Sequence, residues 1–136
     1  MSVFNALNTA LYNKLAGGTA LTTLLGGTAI YYQQAPDHTN LPYVIWSYAG
    51  GGDENMTPGR MKNNIIYARG YAANAALAGS IDAQVDALLH DGSLSVSGWS
   101  NFWLARETDL ETQDTMDSGD KVFMSGGFYR VRLSQQ

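Results

Sequence analysis

The sequence has no cysteine among its 136 residues and only three prolines. Without cysteine, the chain can form neither a disulfide framework nor a thiolate metal site, and it has no thiol nucleophile. That composition fits assembly in a reducing cytoplasm. Long apolar runs are also missing, because no window reaches the roughly 18 apolar residues of a membrane span. We therefore expect a soluble, unprocessed protein that does not contact a membrane.

Positive charge is scarce as well. Eight Lys and Arg residues stand against twelve Asp and Glu residues, which gives a net charge of -4. The basic residues are scattered, whereas a protein that grips nucleic acid needs clustered Lys and Arg to neutralise phosphates. Specific nucleic-acid binding is therefore disfavoured. The length is that of one domain, residues 1–136, which can bury a core without covalent staples.

Three segments have the apolar spacing of helices. Their ends carry small polar residues or glycine, which cap helices and stop them. The third contains Gly79, which is unfavourable inside a helix, so Ser80 is an alternative start. The predicted helices are residues 3–15 after a capping Ser2 and before Gly17-Gly18, residues 19–25 before Gly26-Gly27, and residues 77–89 before His90-Asp91-Gly92.

Two prolines define the first strands. Pro36 and Pro42 fix their own φ and push the preceding residues into the extended region, so residues 30–46 must read as strand, short loop and strand. β-Branched and aromatic residues mark further strands. These segments predict an α+β fold, with an antiparallel β-sheet on which an N-terminal helix and a middle helix pack. The predicted strands are residues 29–34, 43–49, 65–72, 94–97, 99–106 and 122–133, the last with a bulge at Gly126-Gly127.

Two long segments separate these strands. Residues 50–64 begin with Gly50-Gly51-Gly52 and exceed an ordinary hairpin loop, so they predict a long arm or a mobile loop. Residues 107–120 hold six of the twelve acidic residues and no basic residue. We expect this second segment to be a solvated, mutually repelling loop.

No motif indicates catalysis. The two histidines, His38 and His90, lie in unrelated contexts, and the helix dipole explains a histidine at a helix end. The acidic residues lack the spacing of a calcium loop, and Gly50-Gly51-Gly52 lacks the following Lys and Ser or Thr of a phosphate loop. We predict that the chain is not an enzyme and that it holds neither metal nor cofactor.

The aromatic residues indicate a partner. On strands, half of them belong to the core, and the other half need another surface to cover them. An exposed aromatic face on a small domain favours a partner subunit over a small-molecule site. The aromatic residues in question are Tyr31, Tyr32, Tyr43, Trp46, Tyr48, Trp99, Phe102 and Trp103.

The order of several motifs resembles one known family. After the N-terminal leucine helix come Leu24-Leu25-Gly26-Gly27, then Ile30-Tyr31 and Ala35-Pro36, then Leu41-Pro42-Tyr43-Val44-Ile45. A middle helix and a final strand, Phe128-Tyr129-Arg130-Val131-Arg132, complete the pattern. The chain resembles the tail-completion proteins of long-tailed bacteriophages, also called tail-terminator or tail-to-head joining proteins.

This resemblance implies a structural protein of the virion. Such a subunit forms a ring, commonly a hexamer, at the head-proximal end of the tail. The ring caps the tail tube, ends its polymerisation and offers a surface to the head connector. DNA passes through the lumen without specific binding. The implied partners are therefore further copies of the chain, the tail-tube protein and a head-connector or neck protein.

Two sets of residues are candidates for these contacts. Met and Arg are enriched in interfaces, and the exposed aromatics need cover, so one set is expected to touch neighbouring subunits or rings. An acidic lumen would repel DNA and keep it from sticking in transit. The contact set is Met56, Arg60, Met61, Tyr48 and Trp103, and the acidic set is Glu107, Asp109, Glu111, Asp114, Asp117 and Asp120.

One alternative of a different class stays open. A monomeric α+β ligand-binding module or small hydrolase could use the aromatic sheet face as a pocket. The two hypotheses differ in the mass of the protein in solution, since the first requires rings and the second a monomer.

Overall fold

A computed structural model describes residues 3–37, 39–55, 60–115 and 119–136. Three helices and six strands follow one another along the chain. None of the helices in these ranges is long and apolar enough to cross a lipid bilayer. The elements are α1 (Val3–Ala16), α2 (Thr19–Leu25), β1 (Ile30–Tyr32), β2 (Tyr43–Asn55), β3 (Arg60–Ala72), α3 (Ala75–Leu89), β4 (Ser95–Val96), β5 (Trp99–Thr115) and β6 (Lys121–Gln135).

The helices begin and end for local reasons. Gly26 ends α2 in the left-handed conformation, with φ of 74°, and its N–H bonds the carbonyls of Thr22 and Thr23. The side chain of Asn74 caps α3 by accepting the Leu77 N–H at 2.8 Å. This cap lies before Gly79, so the alternative start at Ser80 is wrong. The capping role expected of Ser2 lies outside the described residues.

The six strands form one sheet in the order β1-β2-β3-β6-β5-β4. It is a mixed sheet, which corrects the antiparallel prediction. β1 runs parallel to β2 with Ile30 opposite Val44, while the other neighbouring strands pair antiparallel. A parallel neighbour requires the chain to return to the start of the first strand. Because β1 has just three residues, the stretch 33–42 between β1 and β2 suffices for this return.

The two segments predicted as long loops are largely strand. β2 continues to Asn55 and β3 begins at Arg60, while β5 continues to Thr115 and β6 begins at Lys121. Backbone pairing to a neighbour overrides the unfavourable composition of both segments. β3 and β6 also pair without interruption from Met61 opposite Ser134 to Ala72 opposite Phe123. The end of β2 and the start of β3 therefore lie at one end of the sheet, and the end of β5 and the start of β6 lie at the other.

The core lies between the helices and one face of the sheet. α3 packs on β3, β5 and β6, and α1 contacts β1, β4 and both other helices. Alternate residues of the central strands point into this core. The residues with the largest fully buried side chains include Leu7, Leu11, Leu15, Leu21, Val44, Trp46, Ile66, Ile81, Val85, Leu89, Tyr129 and Leu133.

Gly126 and Gly127 do not form the predicted bulge, because β6 pairs in regular register on both sides of them. The register shifts occur elsewhere: between Tyr48 and Gly50 in β2, and twice in β5. Because the two glycines have no side chain, the backbones of the neighbouring strands can approach them closely. A Cβ at position 126 would overlap the carbonyl oxygen of Ala68 on β3.

We expect Gly126→Ala to lower the free energy of unfolding by about 1–3 kcal/mol, because the added methyl must push β6 from β3. Gly79→Ala is the matched control. It adds the same methyl within α3, where nothing lies within 4 Å, and should raise stability by about 0.5–1 kcal/mol. Urea denaturation of both variants measures the two effects. Equal stability of the variants would contradict this account of Gly126.

Candidate interaction surfaces

One face of the sheet carries none of the described helices, and we call it the outer face. Aromatic and apolar side chains of neighbouring strands lie against one another on it. The rings of Tyr67 and Phe128 are 4.7 Å apart, and those of Tyr43 and Tyr71 are 5.3 Å apart. Three further residues of this face are buried there and do not belong to the core under the helices; they are Ile45, Ala105 and Met124.

Arginines lie among these rings. The Arg69 guanidinium stands 4.4 Å from the centre of the Tyr67 ring and donates to the Ser47 hydroxyl at 3.1 Å. Arg130 donates to Glu107 and Arg132 donates to Glu54, each at 2.8 Å. Planar guanidinium groups beside aromatic rings are typical of protein contact surfaces. The outer face therefore has the composition of an interface.

A largely buried arginine joins α3 to the sheet. Arg106 on β5 is 14% exposed and donates to both carboxylate oxygens of Asp82 at 2.9 Å. It also donates to the Gly126 carbonyl at 2.8 Å and to the Tyr129 hydroxyl at 3.0 Å, and it pairs with Asp109. The hydrogen bonds to Asp82 raise the pKa of Arg106 further above its ordinary value. We call these residues the Arg106 cluster.

The hydroxyl of Tyr129 extends the hydrogen-bond network to α3, because it donates to Asp86 at 3.0 Å. Burial raises the pKa of this phenol, so it keeps its proton at neutral pH. Every polar group of the cluster thereby binds a partner, which suits a structural role. Beside it, α3 and β5 border an acidic groove of about 470 Å³ that includes Asp82, Asp86 and Glu111. The described residues contain no group of three or more side chains suited to hold a metal.

The acidic segment is less free than its composition indicates. Glu107 is held by Arg130, and Asp109 by Arg106. Glu111 and Asp114 lie exposed on β5, where Asp114 accepts the N–H of Thr115. The prediction of a solvated loop of mutually repelling acids is therefore wrong for Glu107 and Asp109, because Arg130 and Arg106 form ion pairs with them.

Acid should weaken the outer face. The hydrogen bond from Arg132 lowers the pKa of Glu54 below its ordinary 4.5, and Arg130 does the same for Glu107. A carboxylate with a lowered pKa stabilises the fold above pH 4.5, and this stabilisation is lost as the pH falls through the folded-state value.

We therefore expect the urea midpoint to fall as the pH drops below about 4.5, and to fall less in the double variant Glu54→Gln and Glu107→Gln. Glu111→Gln is the control, because no arginine contact is seen for Glu111 within the described residues. An unchanged slope in the double variant would contradict the role of the two ion pairs.

Among the described residues, the exposed large apolar side chains fall into two patches. Phe102 and Trp103 on β5 are 46% and 50% exposed, and we call them the aromatic knob. The second patch lies across the sheet at α1 and β1, where Tyr12 and Tyr32 are 41% and 38% exposed. These two tyrosines border a cleft of about 320 Å³ whose other walls are Asn8, Thr9 and Trp46; we call it the aromatic cleft.

The predicted contact residues are distributed over the whole sheet. Trp103 belongs to the aromatic knob. The half-buried Tyr48 lies beside the aromatic cleft, with its ring 6.2 Å from those of Tyr32 and Trp46, and its hydroxyl donates to Asn8 at 3.0 Å. Arg60 and Met61 begin β3; the Arg60 side chain is 58% exposed and lies 3.8 Å from Asp53. Asp120 also lies within the structure, whereas the predictions for His38, Met56 and Asp117 fall outside the described residues.

Sequence reasoning missed the Arg106 cluster and the aromatic cleft. Arg106 stands at the end of a predicted strand, and its partners come from several other positions in the chain, so no local pattern marks them. Tyr12 fits the pattern of an amphipathic helix and draws no further notice. Its position four residues after Asn8 was a signal, because residues at that spacing share one face of a helix.

Fold and surfaces together define a class: an α+β protein with three helices, a mixed six-stranded sheet and exposed aromatic side chains within its described residues. The comparison with known families identifies it further. The sequence model of the family described as tail completion protein gp17 matches residues 9–124. The chain belongs to this family, and it is thus a structural protein of phage tails.

Solved structures share the fold. A chain of the virion of a native gene transfer agent particle superimposes with a TM-score of 0.77 at 22% identity, covering 98% of each chain. A second solved chain has a TM-score of 0.61 at 14% identity and covers 96% of each. A search of curated protein sequences finds no significant match. The likeness to these structures concerns the fold.

Proposed function

We propose that this chain is a virion protein that forms a ring at the head-proximal end of the tail, where the ring caps the tail tube, ends its polymerisation and joins it to the head connector. The observation that carries the proposal is the match to the tail completion family. Its surface supports a ring, because the exposed aromatic residues lie in two different patches on separate borders of one sheet. Such patches favour head-to-tail contacts, and these close into a ring when the rotation from one subunit to the next divides a full turn.

The experiment is a mass measurement of the purified protein, with negatively stained images, alone and mixed with tail tubes. We expect hexameric rings, formed alone or on the tube end, and tubes that stop growing once the protein is added. A strict monomer that leaves tube growth unchanged would contradict the proposal. A monomer that bound a small molecule would instead favour the alternative of a ligand-binding module or hydrolase.

The β2–β3 end of the sheet is our candidate for contact with a neighbouring ring. Arg60 and Met61 lie there, and Met56 belongs to the same segment of the sequence. We propose that these residues touch the tail-tube protein or the head connector. Replacing Arg60 and Met61 by alanine should reduce the number of joined particles. Normal assembly of this variant would count against the proposal.

The acidic side chains are our candidate for the lumen. Glu111 and Asp114 are exposed on β5, and an acidic wall would let DNA pass without specific binding. We propose that these two residues, together with Asp117 and Asp120, line the channel. Their neutralisation to Asn and Gln should slow DNA ejection. Ejection at an unchanged rate and to an unchanged extent would remove this proposal.

A further inference from the structure

The aromatic knob is an exposed pair of rings whose position is set by β5. The register of β5 shifts between Asn101 and Trp103, and this irregularity places two consecutive aromatic residues at the surface. The Asn101 amide secures it by donating to the carbonyls of Trp103 at 3.0 Å and Arg132 at 3.1 Å. The Arg132 guanidinium stands 5.1 Å from the centre of the Phe102 ring. A bulge that re-aims side chains in this way is typical of functional surfaces.

The aromatic cleft is preformed. Its floor is Trp46, which is 2% exposed and lies 4.6 Å from the Tyr32 ring. Tyr48 links α1 to the sheet through its hydrogen bond to Asn8, and its ring meets that of Phe4 at 5.0 Å. The walls are mostly aromatic, while Asn8 and Thr9 bring polar side chains to one side. Such a site offers an apolar slot with an acceptor for an indole N–H, which needs a partner when buried.

We propose that the knob of one copy of this chain occupies the aromatic cleft of the next copy. This inference rests on the proposed ring and names its subunit contact. All five exposed large apolar side chains of the described residues lie in the two patches: Phe102 and Trp103 in the knob, Tyr12 and Tyr32 at the cleft, and Phe4 beside it. In the sheet, β2, β3 and β6 lie between β1 and β5. The knob on β5 is therefore too far from the cleft at β1 to occupy it within one molecule.

Size and area agree with this occupant. A cleft of about 320 Å³ accommodates one large aromatic side chain. Aromatic side chains bury about 150–250 Å² each, and the five are near half exposed, so covering them removes roughly 400–500 Å². That is about a quarter to a third of a standard interface of roughly 1,600 Å², as expected for a central hot spot with a polar rim. The knob and the cleft are different surfaces on separate borders of the sheet, so a contact between them is heterologous.

The absence of cysteine permits a clean test. Ser100 lies on β5 near the knob, and Thr9 lines the cleft; both are exposed. We would make Ser100→Cys and Thr9→Cys chains, treat them with a short bismaleimide, and repeat the reaction on tail tubes. A mixture of the two single variants should give cross-linked pairs, while neither variant links to itself. A chain carrying both substitutions should give a ladder that ends at the ring.

Two further variants control the test. Thr23→Cys on the exposed side of α2, combined with Ser100→Cys, should give no ladder. Trp103→Ala in the chain with Ser100→Cys and Thr9→Cys should weaken the subunit contact about 30-fold, the effect of losing a hot-spot residue, and suppress the ladder. Circular dichroism would confirm that this variant stays folded.

The outcomes separate this inference from the proposed ring. Rings that form without the cross-link between positions 100 and 9 overturn the knob-and-cleft contact and leave the ring proposal intact. Self-linking of either single variant overturns it too, because it indicates a symmetric contact. Cross-linking of the Ser100→Cys chain to the tail-tube protein instead would assign the knob to another partner. Monomers without cross-links, alone and on tubes, would overturn both proposals.

Discussion

Arg106→Ala should lower the free energy of unfolding by about 2–4 kcal/mol, because it removes one partner of a largely buried ion pair together with its hydrogen bonds. The substitution leaves Asp82 and the Tyr129 hydroxyl without their donor, and it frees the Gly126 carbonyl from its guanidinium partner. Because this side chain joins α3 to β5 and β6, we expect its loss to weaken the packing of the helix on the sheet. Urea denaturation followed by circular dichroism measures the loss.

Arg60→Ala is the matched control for that variant. The Arg60 side chain is 58% exposed, and its contact with Asp53 measures 3.8 Å, so its loss should change stability by less than about 0.5 kcal/mol. A second check is the double-mutant cycle between Arg106→Ala and Asp82→Asn, in which the two effects should not add. Equal stability of the two arginine variants would show that the Arg106 cluster does not hold the fold.

Trp46→Ala should cost a similar amount, about 3–5 kcal/mol, because it removes the largest fully buried side chain and leaves a cavity under α1. Trp103→Ala deletes the same side chain where it is half exposed, and it should change the stability of the isolated subunit by less than about 1 kcal/mol. Thermal unfolding of both variants measures the difference. Equal losses would contradict the division into a core tryptophan and a contact tryptophan.

The two variants also differ in their effect on assembly. Trp46 forms the floor of the aromatic cleft, so Trp46→Ala damages stability and contact together. Trp103→Ala should weaken contact alone. Comparing the oligomeric state of Trp103→Ala with its unfolding midpoint therefore separates the function of the surface from the stability of the subunit.

The helices were predictable from the sequence because their signals are local. The apolar spacing from Val3 to Leu15 and the glycines after Leu25 give α1 and α2 close to their observed bounds. The start of α3 was harder, since its cap at Asn74 comes before a glycine that suggests a later beginning. The central parts of the long strands were also predictable, because they are rich in aromatic and β-branched residues.

The full length of the strands was not predictable. Gly50-Gly51-Gly52 and the acidic run after Glu107 both have the composition of loops, yet each pairs with a strand that comes later in the chain. The parallel direction of β1 depends on the path of the proline loop, which composition does not encode. Glycine at 126 suggests a bulge from the sequence, whereas it serves the close approach of β3.

The sequence predicted exposed aromatic side chains, and Trp103 is one of them, while the contacts expected of the candidate residues stay predictions. Tyr48 and Trp103 are predicted contact residues because aromatics outnumber what a small core can hold. Their assignment to opposite patches required the strand order, which brings β5 next to β6 and far from β1. The role of Arg106 required the partners Asp82, Asp109 and Tyr129, which approach it only after the chain has folded.

The uninterrupted pairing of β3 with β6 fixes a length. Its register runs from Met61 opposite Ser134 to Ala72 opposite Phe123, which corresponds to about 40 Å of strand. The start of β3 and the start of β6 lie at the two ends of this ladder, so its hydrogen bonds hold these two strand ends at a set separation. The subunit is in this respect a rigid spacer, and a two-residue deletion in both strands would bring its two ends about 7 Å closer together.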